Sequence, residues 1–115
     1  MRSLLHNMGR RFRVAAKGLP GSPDIANVRG RWAIFVHGCF WHQHAGCRRA
    51  TLPKRNRAFW QDKFAANRVR DTEAECALRS MGFRVIVVWE CEIDDVPALR
   101  ERLIAEVPSS VGAER

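Results

Sequence analysis

From Phe35 to Cys47 the chain reads Phe-Val-His-Gly-Cys-Phe-Trp-His-Gln-His-Ala-Gly-Cys, placing two cysteines and three histidines within thirteen residues. Thiolates and imidazoles at such short spacing are the donors of a tetrahedral zinc site, and a further thiol, Cys91, follows the apolar run Val85-Ile86-Val87-Val88-Trp89. Cys39, His44, Cys47 and Cys91 would make a closed set of four, although spacing alone leaves His42 open in place of His44. Asp24 points to a second chemistry. It is the one acidic residue before position 62 and a suitable ligand for a hard cation such as Mg²⁺; following Ser22-Pro23, it equally suits a turn or a cap. With His37 and His42 beyond the run Trp32-Ala33-Ile34-Phe35-Val36, the parts for hydrolysing a phosphodiester are present: a metal to polarise phosphate and activate water, and imidazoles to move protons.

The distribution of charge indicates the partner. The 115 residues carry a net charge of +8. Twelve Lys or Arg and only Asp24 fall in residues 1–61, whereas residues 62–115 hold eight basic and eleven acidic side chains. Arg10-Arg11-Phe12-Arg13, and Arg48-Arg49 through Lys54-Arg55-Asn56-Arg57-Ala58-Phe59-Trp60, interleave positive charge with aromatic rings, the electrostatic footprint of a phosphate-backbone binder. No run approaches the roughly 18 to 20 apolar residues of a membrane span, and the first residues lack the apolar length of a signal peptide. A cytoplasmic protein is therefore expected. In that reducing compartment, cysteines clustered with histidines favour metal over disulfides and leave Cys76 as an unpaired thiol packed on a helix.

Positioning these groups takes a small α/β domain. Leu4 to Gly9 reads as the end of a helix and residues 11–15 as a short strand; the turn-rich Gly18-Leu19-Pro20-Gly21-Ser22-Pro23 then leads Asp24-Ile25-Ala26 into the next strand. Trp32 to Val36 is a continuous apolar strand covered on both faces, and it delivers His37 to its end. From Arg57 to Ser80 the pattern is helical, with Trp60, Phe64, Ala65 and Val69 inward and Gly82 as the stop. Asp71 on this helix reads as a surface carboxylate paired with Arg68 or Lys63. Phe83 to Glu90 is a strand, Val96 to Val107 a helix with Leu99, Leu103 and Ile104 inward, and residues 108–115 a disordered tail. This order predicts a single domain over residues 1–107, with a mixed sheet containing a parallel pair.

Pro23-Asp24, Phe35-Val36-His37-Gly38-Cys39-Phe40-Trp41-His42, Pro53, Asn56, Phe59-Trp60, Lys63, Asn67, Arg70-Asp71, Gly82-Phe83-Arg84-Val85 and Val88-Trp89-Glu90-Cys91 occur in one collinear order. Between Leu4 and Glu92 they resemble the very short patch repair endonucleases. The resemblance implies a restriction-endonuclease-like mixed central sheet flanked by helices, with a structural Zn²⁺ site. It also implies a Mg²⁺-dependent nick beside a T:G mismatch left by deamination of 5-methylcytosine. Double-stranded, mismatched DNA is the implied partner; a monomer is expected, and mismatch-repair proteins are candidate further partners.

By this resemblance Asp24 is the metal-binding aspartate, and the backbone carbonyl of Val36 completes the magnesium site. His42 is the catalytic histidine, Asp71 its carboxylate partner, and His37 the second catalytic histidine. Cys39, His44, Cys47 and Cys91 are the zinc ligands, which removes His42 from that set. Phe40 and Trp41 become a wedge between base pairs, and Lys63 and Asn67 face the site or the DNA backbone; the charge pattern itself makes Arg48, Arg49, Lys54 and Arg55 the basic DNA face. Family members carry an N-terminal arm with an acidic residue near the metal; no Asp or Glu precedes Asp24, so that arm is expected to be missing. Two other readings compete: a zinc-stabilised DNA-binding module without turnover, and a related nuclease with a different DNA target.

Overall fold

The structure, a computed structural model, describes residues 2–10, 12–14 and 16–107. Its elements run α1 (Arg2–Asn7), β1 (Arg13–Val14), β2 (Ile25–Asn27), β3 (Trp32–His37), α2 (Arg57–Ser80), β4 (Arg84–Trp89), a 3₁₀ turn (Glu90–Asp94) and α3 (Val96–Glu106). The strands form one sheet in the order β1-β2-β3-β4. β1 and β2 pair antiparallel, as do β2 and β3, while β3 and β4 run parallel with α2 as their crossover. This is the mixed sheet that the order of apolar runs predicts.

Side chains alternate between the faces of a strand, so β3 serves two cores. Trp32 and Ile34 pack with Leu5 of α1, Ile86 and Val88 of β4, and Leu99 and Leu103 of α3. Ala33 and Phe35 pack on the other face with Ala26, Phe83 and Leu78 of α2. Three layers result, α1 with α3, the sheet, and α2. The loop before β2 approaches α2 so closely that a side chain on Gly21, which has φ +71°, would meet the Ala74 methyl group at 2.6 Å. Glycine is needed there on both counts. At the other end of α2, Gly82 takes φ +85°, and the amides of Gly82 and Phe83 bond to the carbonyls of Arg79 and Leu78 at 2.9 and 3.0 Å. This C-terminal motif directs the chain into β4.

Three expectations change. On α2, Ala65 is exposed and Val69 is 57% exposed; the inward stripe is instead Phe64, Asn67, Asp71, Ala74 and Leu78. Two polar residues on that stripe face the site, so apolar periodicity alone points the helix the wrong way. Ile104 is 50% exposed, because Leu99 and Leu103, four residues apart, already define the buried face of α3 and Ile104 lies about 100° round from it. Cys76 is exposed on α2 rather than packed. The expected tail at 108–115, and positions 11 and 15 of the expected strand over 11–15, lie outside the described residues.

Candidate active site and metal cluster

Four elements bring the hydrolytic candidates together. Asp24 immediately precedes β2, and its Oδ2 accepts a hydrogen bond from the Val36 amide of β3 at 2.7 Å. That bond fixes the carboxylate and leaves its second oxygen for the cleft it lines. His37, the last residue of β3, is only 6% exposed. His42 reaches back over it from the following turn, with the two imidazoles stacked at 3.9 Å between centroids and 4° between planes. The turn is held by bonds from the His42 amide to the Gly38 carbonyl and from the His44 amide to the Cys39 carbonyl. Gln43 adopts φ +47° and ties the loop to the carbonyls of Phe40 and Thr51.

Asp71 does not pair with Arg68 or Lys63. Its Oδ2 lies 2.6 Å from His42 Nδ1, which places the proton on Nδ1 and leaves Nε2 for exchange. Burial, and secondarily the neighbouring His42, lower the pKa of His37, so this imidazole is neutral near pH 7. Asp24, His37, His42 and Asp71 line a cleft of about 570 Å³ together with Lys63, Asn67, Arg70 and Trp41. Asn67 donates to the Trp41 carbonyl at 3.1 Å and accepts from Arg70 at 2.8 Å, so the helix face is tied to the loop. Sequence reasoning gave Arg70 no role; the signal was its place seven residues after Lys63, two turns along the same helix face.

The second cluster lies beside the first. His44 Nδ1 is 3.8 Å from Cys39 Sγ and 3.5 Å from Cys91 Sγ, and the donor atoms of Cys39, His44, Cys47 and Cys91 lie within 4.8 Å of one another. Tetrahedral zinc with Zn–S near 2.3 Å and Zn–N near 2.0 Å separates sulfur from nitrogen by about 3.5 Å. The donor set therefore fits the ion, and His44, not His42, belongs to it. Burial and the neighbouring thiols push Cys91 up to about 11, while a hydrogen bond from the Arg49 amide lowers Cys47. Crowded thiols resist ionising together, and a divalent cation removes that conflict.

The aromatic and basic candidates separate into exposed and anchored groups. Trp41 is 48% exposed, whereas Phe40 is half-buried beneath it, edge-on to Trp41 and Phe64, both at 5.2 Å. Arg48, Lys54 and Arg55 are exposed. Arg49 instead pairs with Asp94, and more distantly with Glu90, on the 3₁₀ turn that carries Cys91.

The family model for the DNA mismatch endonuclease Vsr matches residues 1–49. The chain is 53% identical over 103 residues to the type II nicking enzyme V.XorIIP of Xanthomonas oryzae pv. oryzae, covering 90% of this chain and 75% of that protein. It is 42% identical over 103 residues to the type II nicking enzyme V.NmeAIP of Neisseria meningitidis, covering 90% and 73%. Against the DNA mismatch endonuclease Vsr of Escherichia coli K12 the identity is 38% over 104 residues, covering 90% and 66%. Sequence identity of 38–53% over nine-tenths of its length, on a mixed sheet whose strand β3 leads into the His37–Cys47 segment, shows that this chain belongs to the Vsr family of DNA mismatch endonucleases.

Proposed function

We propose that this chain nicks duplex DNA beside a T:G mismatch by Mg²⁺-dependent phosphodiester hydrolysis, with residues 1–107 as one endonuclease domain acting as a monomer. The observation that carries this reading is the convergence of Asp24, His37 and the His42–Asp71 pair on one cleft whose helix wall bears Lys63 and Arg70. The relatives' names, a mismatch endonuclease and nicking enzymes, support the substrate and the single-strand cut.

Mg²⁺ takes oxygen ligands and keeps several waters, which suits a site built from the exposed Asp24 carboxylate and the Val36 carbonyl. Bound there, it would neutralise phosphate charge and acidify water. The chain's own residues do the rest. As the water oxygen bonds to phosphorus and the P–O bond to the leaving sugar oxygen breaks, His42 accepts the water's proton at Nε2. Asp71 stabilises the imidazolium that forms, and the departing oxygen takes a proton from solvent. His37, kept neutral, orients that water. Lys63 and Arg70 draw the phosphate against the helix wall, and Asn67 fixes Arg70. Trp41, backed by Phe40, enters the base stack and opens the mismatch. Cys39, His44, Cys47 and Cys91 would hold Zn²⁺, which would brace the loop on which His42 sits.

The test is a nicking assay with Mg²⁺ on end-labelled duplexes that differ only in a central T:G or T:A pair. The expected result is a strand-specific nick confined to the T:G duplex and lost by at least about 10³-fold in Asp24→Ala, which still binds DNA. Equal cutting of both duplexes would reassign the target. Binding without cutting would identify a DNA-binding module.

A further inference from the structure

Trp89 touches the histidines of both clusters. Its indole stacks on His44 at 4.1 Å and 7°, and stands edge-on to His37 at 5.3 Å and 78° and to His42 at 6.4 Å and 75°. We propose that Trp89 is a positioning residue that transmits the rigidity of the Cys/His cluster to the His37–His42 stack and so keeps the two imidazoles aligned for proton transfer. The inference rests on the proposed function, in which those imidazoles act on the attacking water.

The platform is itself held from three sides. Trp89 ends β4 directly opposite His37 in the parallel register. Its amide donates to Glu92 at 3.0 Å; the Glu92 carboxylate is gripped by both oxygens on Arg102 at 2.6 and 2.7 Å, and Arg102 also donates to the Val87 carbonyl at 2.8 Å. Two residues further on, Cys91 meets His44, so the segment that fixes the indole also closes the metal cluster. His42 has a hydrogen bond to set its ring, the one its Nδ1 donates to Asp71. The tilt of His37 is set by ring contacts with His42, Phe35 and Trp89. A flat, anchored face is what such a ring needs, because a displacement of about 1 Å in a reacting group can reduce a rate about 100-fold. Leucine would fill much of the volume without offering that face; phenylalanine would offer a smaller one.

The experiment compares wild type, Trp89→Leu and Trp89→Phe as full-length zinc-loaded chains, measuring zinc per chain, affinity for a T:G duplex and the single-turnover nicking rate. Trp89→Leu is expected to keep one zinc and bind DNA within about twofold of wild type, yet nick roughly 10- to 100-fold more slowly. Trp89→Phe, with its smaller face, should nick only about two- to fivefold more slowly than wild type. A Trp89→Leu chain that nicks at the wild-type rate overturns the inference. So does a rate that falls only in step with zinc or DNA affinity, which would make Trp89 an ordinary structural residue. If Trp89→Leu does not fold, Trp89→Phe decides: slower nicking at unchanged zinc and affinity supports the role, and an unchanged rate removes it. A wild-type chain that does not nick overturns the proposed function and this inference with it, whereas a nicking wild type with an equally fast variant overturns the positioning role alone.

Discussion

Two clusters that meet at the loop after β3 both use its histidines and differ in geometry. Cys39, His44, Cys47 and Cys91 close on a common point; His37, His42 and Asp71 also place donor atoms within 4.8 Å of one another, yet they do not form a comparable cage. The imidazoles of His37 and His42 are stacked with planes only 4° apart. Nitrogen lone pairs lie in the ring plane, so two parallel rings have no common point along both. Asp71 moreover already accepts from His42 Nδ1. Proximity of donors is thus not enough to define a metal site. The orientation of the rings separates a cluster suited to holding an ion from one suited to moving protons.

The largest effect of a single substitution is expected at the closed cluster. Structural zinc contributes folding free energy directly, and Cys39 is fully buried. Cys39→Ser is therefore expected to lose zinc and either become insoluble or melt at least about 10 °C lower. Elemental analysis and a thermal melt check this; a variant of wild-type stability without zinc would sink the structural reading of the cluster.

A smaller effect on a different observable is expected at the open cluster. Asp71→Asn keeps the size of the side chain and removes the charge that stabilises a protonated His42. Zinc content and melting temperature should stay at wild-type values while nicking slows by on the order of 10³-fold. If Asp71→Asn instead lost metal or stability as Cys39→Ser does, the two clusters would be one structural unit.

The same contrast explains what could be read from the chain. The closed cluster was legible because most of its ligands crowd into nine residues, and metal chemistry imposes that spacing. The strands were legible because Trp32–Val36 and Val85–Trp89 are unbroken apolar runs. The open cluster takes His37 from the end of β3, His42 from the following turn and Asp71 from the middle of α2, and Asp24 joins its cleft from the residue before β2, so the carboxylates lie far from the histidines in sequence. Asp71 looked like a surface carboxylate because Lys63 and Arg68 stand within helical reach, and only the family resemblance promoted it. Ala65 and Val69 misled for a related reason. The inward face of α2 is partly polar where it borders the cleft, and periodicity read from apolar residues then selects the wrong stripe. Trp89 and Arg70 carried no warning because their parts depend on ring contacts and helix phase that spacing does not reveal.

The smallest predicted effect separates Arg48 from its neighbour. Both looked like DNA contacts in sequence, but Arg49 is paired with Asp94 and Glu90 beside Cys91, whereas Arg48 is exposed. A phosphate-contacting cation adds about one unit to the slope of log K against log salt concentration. Arg48→Ala should reduce that slope by about 1 and leave the metal cluster untouched. Arg49→Ala should change it much less, because the charge removed is already compensated, and should instead speed zinc loss to a chelator by loosening the turn that carries Cys91. Equal slope changes in the two variants would mean that Arg49 leaves its carboxylates for DNA, which would place the closed cluster's fastening within the DNA-binding surface and blur the division between the two regions.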